Sequence, residues 1–209
     1  MRYYEGTKAH NKKPPSPVLQ RPPWRIALVA NLKDEIDWGP DAPADAGSEF
    51  DRRDTIEALA AALEEDGHWV TFCRADETLP EALLNLRPQM VFNIAEGLGG
   101  DAREAQTPAL CEMLGIPYTA SRVLANALSL DKTQTKRIWH QVGLPTAGFQ
   151  EFRTGSEPLR SDLTLPLFVK PVREGTGMGI DLGAIVHDPQ ELTDRVAWVI
   201  ATYCQPAMV

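Results

Sequence analysis

Short, β-rich apolar runs alternate with helical segments through the first half of this chain, and no other feature limits its fold as strongly. The apolar runs are residues 25–30, 69–72 and 90–94, and the segments 55–65 and 79–86 between them carry apolar residues at helical spacing. Consecutive strands that are separated by helices must pair in parallel through crossover connections. The pattern therefore predicts an α/β domain whose parallel sheet is covered by helices on both faces.

A second unit follows, with shorter strands and more glycine and proline. We predict a helix over residues 132–142 that ends at Gly143, and a helix capped by Asp188 that runs to about residue 203. The predicted strands are residues 148–153, 165–170, 179–186 and 207–209. Two of these strands are joined by a glycine-rich loop and flanked by helices, which predicts a small α+β layer.

Three segments follow from this pattern. Residues 1–23 are basic, contain five prolines and include Glu5 as their single acid, so we predict a disordered tail. The α/β domain occupies residues 24–124, and the second unit occupies residues 125–209. The last predicted strand reaches the end of the chain without a stop signal, so we expect a truncated architecture.

Composition excludes several classes of protein. The net charge of −8 argues against a nucleic-acid binder, because such proteins need a basic surface to displace counterions from phosphates. Three widely spaced cysteines without a CxxC pair indicate a reducing compartment. No run approaches the roughly 20 apolar residues that would span a bilayer, and the N-terminus lacks the apolar core of a signal peptide. We therefore expect a cytoplasmic protein without membrane partners.

The segment 168–179 carries the clearest chemical signal. An apolar strand ends at Lys170 and runs into a loop, 175–179, with glycine at every second position. Such glycines let backbone N–H groups turn toward an anion, and the lysine ammonium can reach the same phosphates. The spacing fits neither a P-loop nor a Rossmann turn, and a plain hairpin is the alternative. Arg173 and Glu174 at the loop entrance favour a grip on the phosphates of ATP.

Lys132 is a second candidate for a phosphate contact. It directly follows Asp131, the predicted N-cap, and therefore lies in the first turn of a helix. A lysine there adds positive charge to the positive end of the helix dipole, and a residue placed against its local preference often serves a ligand. A solvated surface lysine is the alternative.

Five motifs occur in a fixed order along the chain. They are residues 92–97, 114–119, 130–136, 143–146 and 169–175. This series resembles the D-alanine–D-alanine ligase family of ATP-grasp enzymes over about residues 24–209, and five ordered motifs are far more specific than one. The resemblance implies a pre-ATP-grasp substrate domain followed by an ATP-grasp module of two subdomains, of which the C-terminal one would be absent here.

The resemblance also implies a reaction and its cofactors. ATP would phosphorylate a carboxylate, and an amine would then displace the phosphate to give an amide. The expected partners are ATP, Mg²⁺ and small amino acids, with a homodimer left open. The ligands of Mg²⁺ would follow Val209, so no metal ligand is assigned within this chain.

Matching positions assign roles to individual residues. Lys132 and Lys170 would contact the ATP phosphates, and Glu174 would order the flexible loop that closes over them. That loop consists of Gly175, Thr176, Gly177 and Met178. Glu49 is the nearest match to the acidic residue that contacts the ammonium of the first substrate.

Glu96 departs from the family pattern, which commonly has a histidine at this point. A carboxylate there would hold a cation or a hydrogen-bond donor, so substrates other than D-alanine are expected; an exposed loop acid is the alternative. Three hypotheses follow: a D-alanine–D-alanine ligase-like enzyme, an ATP-grasp ligase for other amino acids or peptides, and a nucleotide-binding remnant without turnover.

Overall fold

The computed structural model describes residues 23–209, and its first part is built around a three-stranded parallel sheet. The strands are β1 (Arg25–Ala30), β2 (Trp69–Arg74) and β3 (Met90–Asn93). β1 lies in the centre, in the order β2-β1-β3, and pairs in parallel with both neighbours. Three helices accompany the sheet: α1 (Arg53–Glu65), α2 (Leu79–Leu86) and α3 (Gln106–Leu114). The predicted α/β architecture is confirmed, whereas the predicted tail over residues 1–23 lies, except for its last residue, outside the described residues.

Alternate side chains of β1 enter two separate cores, because successive residues of a strand point to opposite faces. Ala27 and Val29 pack with residues of α2 and α3, among them Leu83. Leu28 packs on the other face against Ile56 of α1. The central strand is therefore buried on both sides, as its continuous apolar sequence predicts.

The second unit consists of small antiparallel sheets and three helices. Its elements are α4 (Val123–Leu130), α5 (Lys132–Gln141), β4 (Glu151–Phe152), β5 (Leu167–Phe168), β6 (Lys170–Pro171), β7 (Ile185–Val186), α6 (Pro189–Tyr203) and β8 (Ala207–Met208). One sheet has the order β4-β8-β6, and β5 pairs with β7 in another. Val196 and Val199 of α6 pack on both sheets, together with Phe152 and Val186.

The predicted strand over 165–170 is wrong as a single strand. The fully buried Val169 separates β5 from β6, and its N–H donates to the carbonyl of Ala184 at 2.8 Å. Lys170 instead pairs with Met208 in the other sheet. The N–H of Val172 still donates to the carbonyl of Pro206 at 3.1 Å, but Pro206 has no N–H to return to β6, so β6 stops after two residues. Lys170 therefore begins a strand in one sheet rather than ending a strand in the other.

Three further boundaries differ from the prediction. The segment 179–186 is a strand only at β7, because the Asp181 side chain accepts from the N–H of Gly183 and starts a 3₁₀ turn. The segment 148–153 is a strand only at β4. Helix α4 was not predicted: it has no side-chain cap at its start, and α5 follows it after the single residue Asp131. No helix within residues 23–209 is long and apolar enough to cross a membrane.

Candidate functional site

The Arg103 guanidinium joins the two units at the start of the glycine loop. Its Nη2 lies 2.6 Å from Oε2 of Glu49 and 3.0 Å from Oε2 of Glu174, and its Nη1 donates to the carbonyl of Arg173 at 2.8 Å. Side-chain exposure is 10% for Arg103, 5% for Glu49 and 14% for Glu174. Two carboxylates from different units therefore share one buried cation, and this ion triad fixes the loop entrance.

Both ends of the glycine loop are held by carboxylates of the loop that follows β1. The N–H of Gly175 donates to Oε1 of Glu49, and the N–H of Gly179 donates to Oδ2 of Asp45 at 2.7 Å. Thr176 and Gly177 between them are exposed and have φ angles of 46° and 76°. The predicted anion-facing N–H groups of the two outer glycines thus bind protein carboxylates, and the tip of the loop is the part that is open.

The two predicted lysines lie on separate elements and are close enough to influence each other. Burial, followed by the charge of Lys170, lowers the pKa of Lys132. Burial and the charge of Lys170 also lower the pKa of Lys136, one helical turn further along α5. The Lys132 ammonium donates to the carbonyls of Val172 and Glu174 at the loop entrance. The structure therefore brings both predicted lysines to one region and adds Lys136 to them.

The position of Lys132 follows from the cap that precedes it. The Asp131 side chain accepts from the N–H groups of Thr133 and Gln134, so α5 begins with Lys132 in its first turn, as predicted. The second oxygen of Asp131 accepts from Nε of Arg173 at 3.2 Å. The Asp131 carboxylate thus both caps α5 and contacts the entrance of the glycine loop.

Glu96 lies where the ends of β1 and β3 meet. The Oδ1 atom of Asn31 accepts from the N–H groups of Glu96 and Gly97, at 3.2 and 2.9 Å, and so ties the two strand ends together. Burial, followed by the charges of Glu104 and Glu49, raises the pKa of Glu96 to about 7. The alternative of an exposed loop acid is therefore wrong, because the side chain is half-buried among other carboxylates.

A cavity of about 340 Å³ lies beside the ion triad. Trp38 and Phe50 line one part of it, with their ring centroids 5.3 Å apart, and Glu49 and Arg103 line another. Gly47 is required behind the indole, because a Cβ there would lie 2.7 Å from a ring carbon of Trp38. The cavity therefore combines an aromatic wall with charged groups and has the size of a site for a small molecule.

Sequence reasoning missed Arg103, Asp45, Tyr203 and Gln205. Gln205 accepts from the N–H of Arg173 at 2.6 Å and donates to Glu174 at 2.5 Å, which completes the network. None of these residues has a local signal, because each acts through partners that are distant in sequence. Within residues 23–209, no group of three or more His, Cys, Asp and Glu side chains is placed to hold a metal ion.

No protein-family model matches this chain. An uncharacterized protein, y4sG, from Sinorhizobium fredii is 37% identical over 161 residues, which are 73% of this chain and 47% of that protein. A D-alanine–D-alanine ligase from Pseudomonas fluorescens is 33% identical over 192 residues (88% and 57%), and one from Moorella thermoacetica is 36% identical over 149 residues (67% and 47%). The chain spans about half the length of the curated relatives it matches.

The fold matches solved structures of the same family. A D-alanine–D-alanine ligase from Bacillus anthracis, solved in complex with ATP, superposes with a TM-score of 0.65 at 20% identity, covering 88% of this chain and 57% of that one. The enzyme from Helicobacter pylori gives a TM-score of 0.59 at 16% identity, covering 88% and 65%. At these identities the structural matches establish the shared fold.

Proposed function

Because the chain belongs to the D-alanine–D-alanine ligase family, we propose that it forms the substrate domain and part of the ATP-binding module of an ATP-dependent carboxylate–amine ligase. The observation that carries this proposal is the shared location of Lys132, Lys170 and the glycine loop. These cations come from separate elements, α5 and β6, and burial together with the charge of Lys170 lowers the pKa of Lys132. An anion with several negative charges offsets such repulsion, which suits the phosphates of ATP.

The proposed reaction has two steps. A substrate carboxylate attacks the γ-phosphorus of ATP, which forms an acyl phosphate and releases ADP. An amine then attacks the acyl carbon, the C–O bond to phosphate breaks, and an amide and inorganic phosphate result. Lys132 and Lys170 would offset charge on the phosphates, while the N–H groups at the loop tip, Thr176 and Gly177, would donate to them. Met178 would close over the phosphates with the tip.

The network around Arg103 would position these groups. Glu174 would order the loop, as its hydrogen bonds to Arg103 and Gln205 support. Mg²⁺, when bound, would supply positive charge that offsets the charge developing on the ATP phosphates. Because no metal-ligating cluster occurs within residues 23–209, we assign no step of the metal to these residues.

Small amino acids are the proposed substrates, and the cavity beside the ion triad is their proposed site. Glu49 would contact the substrate ammonium, while its two carboxylate oxygens also accept from the N–H of Gly175 and from Arg103. Glu96 would act close by, in a setting that favours its protonated form up to about neutral pH. We further propose a cytoplasmic protein, with a homodimer as the assembly to be tested.

A ligase for amino acids other than D-alanine is the second candidate. Two observations favour it: Glu96 stands at the position of the family histidine, and Trp38 and Phe50 provide an aromatic wall. Release of inorganic phosphate, measured across pairs of amino acids with the full-length protein, separates the candidates. Turnover with D-alanine alone supports the first, and turnover with other amino acids supports the second. ATP binding without turnover on any pair supports a nucleotide-binding remnant.

Substitution of Lys170 tests the shared basis of these candidates. In the full-length protein, Lys170→Ala should weaken ATP binding at least tenfold, because a hydrogen bond to a charged group contributes about 1.5–3 kcal/mol. Calorimetric titration with ATP and Mg²⁺ measures the affinity. Lys33→Ala, at an exposed lysine of the first unit, is the matched control. Unchanged affinity of the Lys170→Ala variant would remove this lysine from the nucleotide site.

A further inference from the structure

Asp45 contacts the last residue of the glycine loop from 134 positions away in the sequence. One of its carboxylate oxygens, Oδ2, accepts from the N–H of Gly179 at 2.7 Å. The hydroxyl of Tyr203, at the end of α6, lies 2.8 and 2.9 Å from the two carboxylate oxygens. Burial, followed by the hydrogen bond and charge of Asp45, raises the pKa of Tyr203, so its hydroxyl keeps the proton that it donates. Asp45 thus joins a loop of the first unit to two elements of the second.

Gly179 is closely confined at this contact. Its carbonyl accepts from Nη2 of Arg195 at 2.8 Å, so both polar groups of the residue are held. Its φ angle is +72°, and a Cβ at this position would lie 2.6 Å from the ring of Pro171. A side chain is therefore excluded on steric and conformational grounds. The carboxyl end of the loop has one well-defined position.

The tip of the loop lacks such restraints. Gly177 has open space around its Cα, and Thr176 and Gly177 are both exposed. Among the described residues, no acceptor meets the N–H group of either one. A segment with few contacts and exposed polar backbone opens at low free-energy cost, whereas its hydrogen-bonded ends do not. The structure thus separates an exposed tip, crossed only by turn hydrogen bonds from the N–H of Met178 to Gly175 and from the N–H of Ile180 to Gly177, from two ends that other segments of the chain anchor.

We propose that Asp45 is a positioning residue, which anchors the carboxyl end of the glycine loop to the first unit so that only the tip moves when a nucleotide binds. The proposal rests on the proposed function, since it assigns to Asp45 a role in closing the same loop over phosphates. With Asp45 in place, nucleotide binding orders about three residues of the tip and loses their conformational entropy. Without Asp45, the residues of the following turn must be ordered as well. Loss of this anchor should therefore weaken nucleotide binding, although Asp45 itself does not contact the nucleotide.

Four variants of the full-length protein test this role. Asp45→Ala removes both hydrogen bonds, whereas Asp45→Asn keeps an oxygen for the N–H of Gly179 and an amide for the Tyr203 oxygen. Tyr203→Phe removes only the hydroxyl. The matched control is Asp41→Ala, because the exposed Asp41 side chain lies on the same loop and makes no hydrogen bond to another described residue.

Three measurements on these variants separate positioning from general stability: hydrogen exchange, ATP affinity and thermal unfolding. Hydrogen exchange at Gly179 should be about tenfold to a hundredfold faster in Asp45→Ala, since a charged hydrogen bond is lost. The Kd for ATP should rise about tenfold in Asp45→Ala. In Asp45→Asn, both the thermal midpoint and the Kd for ATP should stay close to the wild-type values. Tyr203→Phe should lie between the two, because the bond from Gly179 remains.

Several results of these measurements would overturn the proposed role of Asp45. Equal hydrogen exchange and equal ATP affinity in Asp45→Ala and Asp41→Ala would overturn the proposal. An Asp45→Asn variant that behaves like Asp45→Ala would also overturn it, because the charge of Asp45 rather than its hydrogen-bond geometry would then be responsible. Faster hydrogen exchange without any change in ATP affinity would show that Asp45 is only a structural contact, and this result would also overturn the proposal. If the wild-type protein does not bind ATP, the proposed function fails, while exchange at Gly179 still reports whether Asp45 anchors the loop.

Discussion

Replacement of Arg103 by methionine should cost far more stability than replacement of a surface arginine. The variant leaves the carboxylates of Glu49 and Glu174 buried, 5% and 14% exposed, without their shared cation. Removing one partner of a buried ion pair typically costs about 3–5 kcal/mol. A third hydrogen bond, to the carbonyl of Arg173, is lost as well. We therefore expect the free energy of unfolding to fall by about 3–5 kcal/mol at pH 7.5.

The loss should depend on pH in a defined direction. Burial already raises the pKa of Glu174, and removal of the guanidinium should raise it further. The folded variant then binds protons that the unfolded chain does not, so its stability falls as the pH rises from 5 to 8. The gap between wild type and variant should widen over the same range.

Urea unfolding at pH 5.5 and pH 7.5 measures both quantities. Arg74→Met is the matched control, because Nε of Arg74 lies 2.5 Å from Glu35 but the arginine side chain is 59% exposed. An exposed pair of this kind contributes little to stability, because water and salt screen it. If Arg103→Met and Arg74→Met lose similar amounts of stability, or if the loss is independent of pH, the triad is not the buried electrostatic anchor described above.

Two further predictions concern stability. The pKa of Glu96 rises from 4.5 to about 7 on folding, which costs at most about 3.4 kcal/mol above pH 7 and about 1–2 kcal/mol after allowance for partial exposure. The stability of the wild type should thus fall as the pH rises from 4.5 to 7. Urea unfolding should find Glu96→Gln more stable than wild type at pH 8, with a smaller advantage at pH 5; a difference that does not change with pH would refute the assignment. Gly179→Ala should destabilise by about 1–3 kcal/mol more than Gly177→Ala in thermal unfolding, because both have positive φ but Pro171 crowds Gly179 alone; equal losses would contradict this.

Local signals were sufficient to predict several elements. The apolar run of β1 predicted a strand buried on both faces, and Asp131 and Asp188 predicted the starts of α5 and α6, since an N-cap depends only on residues two or three positions away. The same signals failed at Val169, where one apolar run divides between two sheets. Which partner strand each half meets depends on residues 185–186 and 207–208, and no local pattern encodes that choice.

The sequence by itself determined the alternation of strands and helices in the first unit, the family resemblance and the choice of the two lysines that we propose to contact phosphate, because each of these depends on neighbouring residues or on a recurring motif. Only the tertiary structure decided that Arg103 is buried between Glu49 and Glu174, and that Asp45 reaches Gly179. An arginine or aspartate has the same propensities on a surface and in a buried network. Its environment is set by partners 54 to 134 positions away, which the folded chain alone brings into contact.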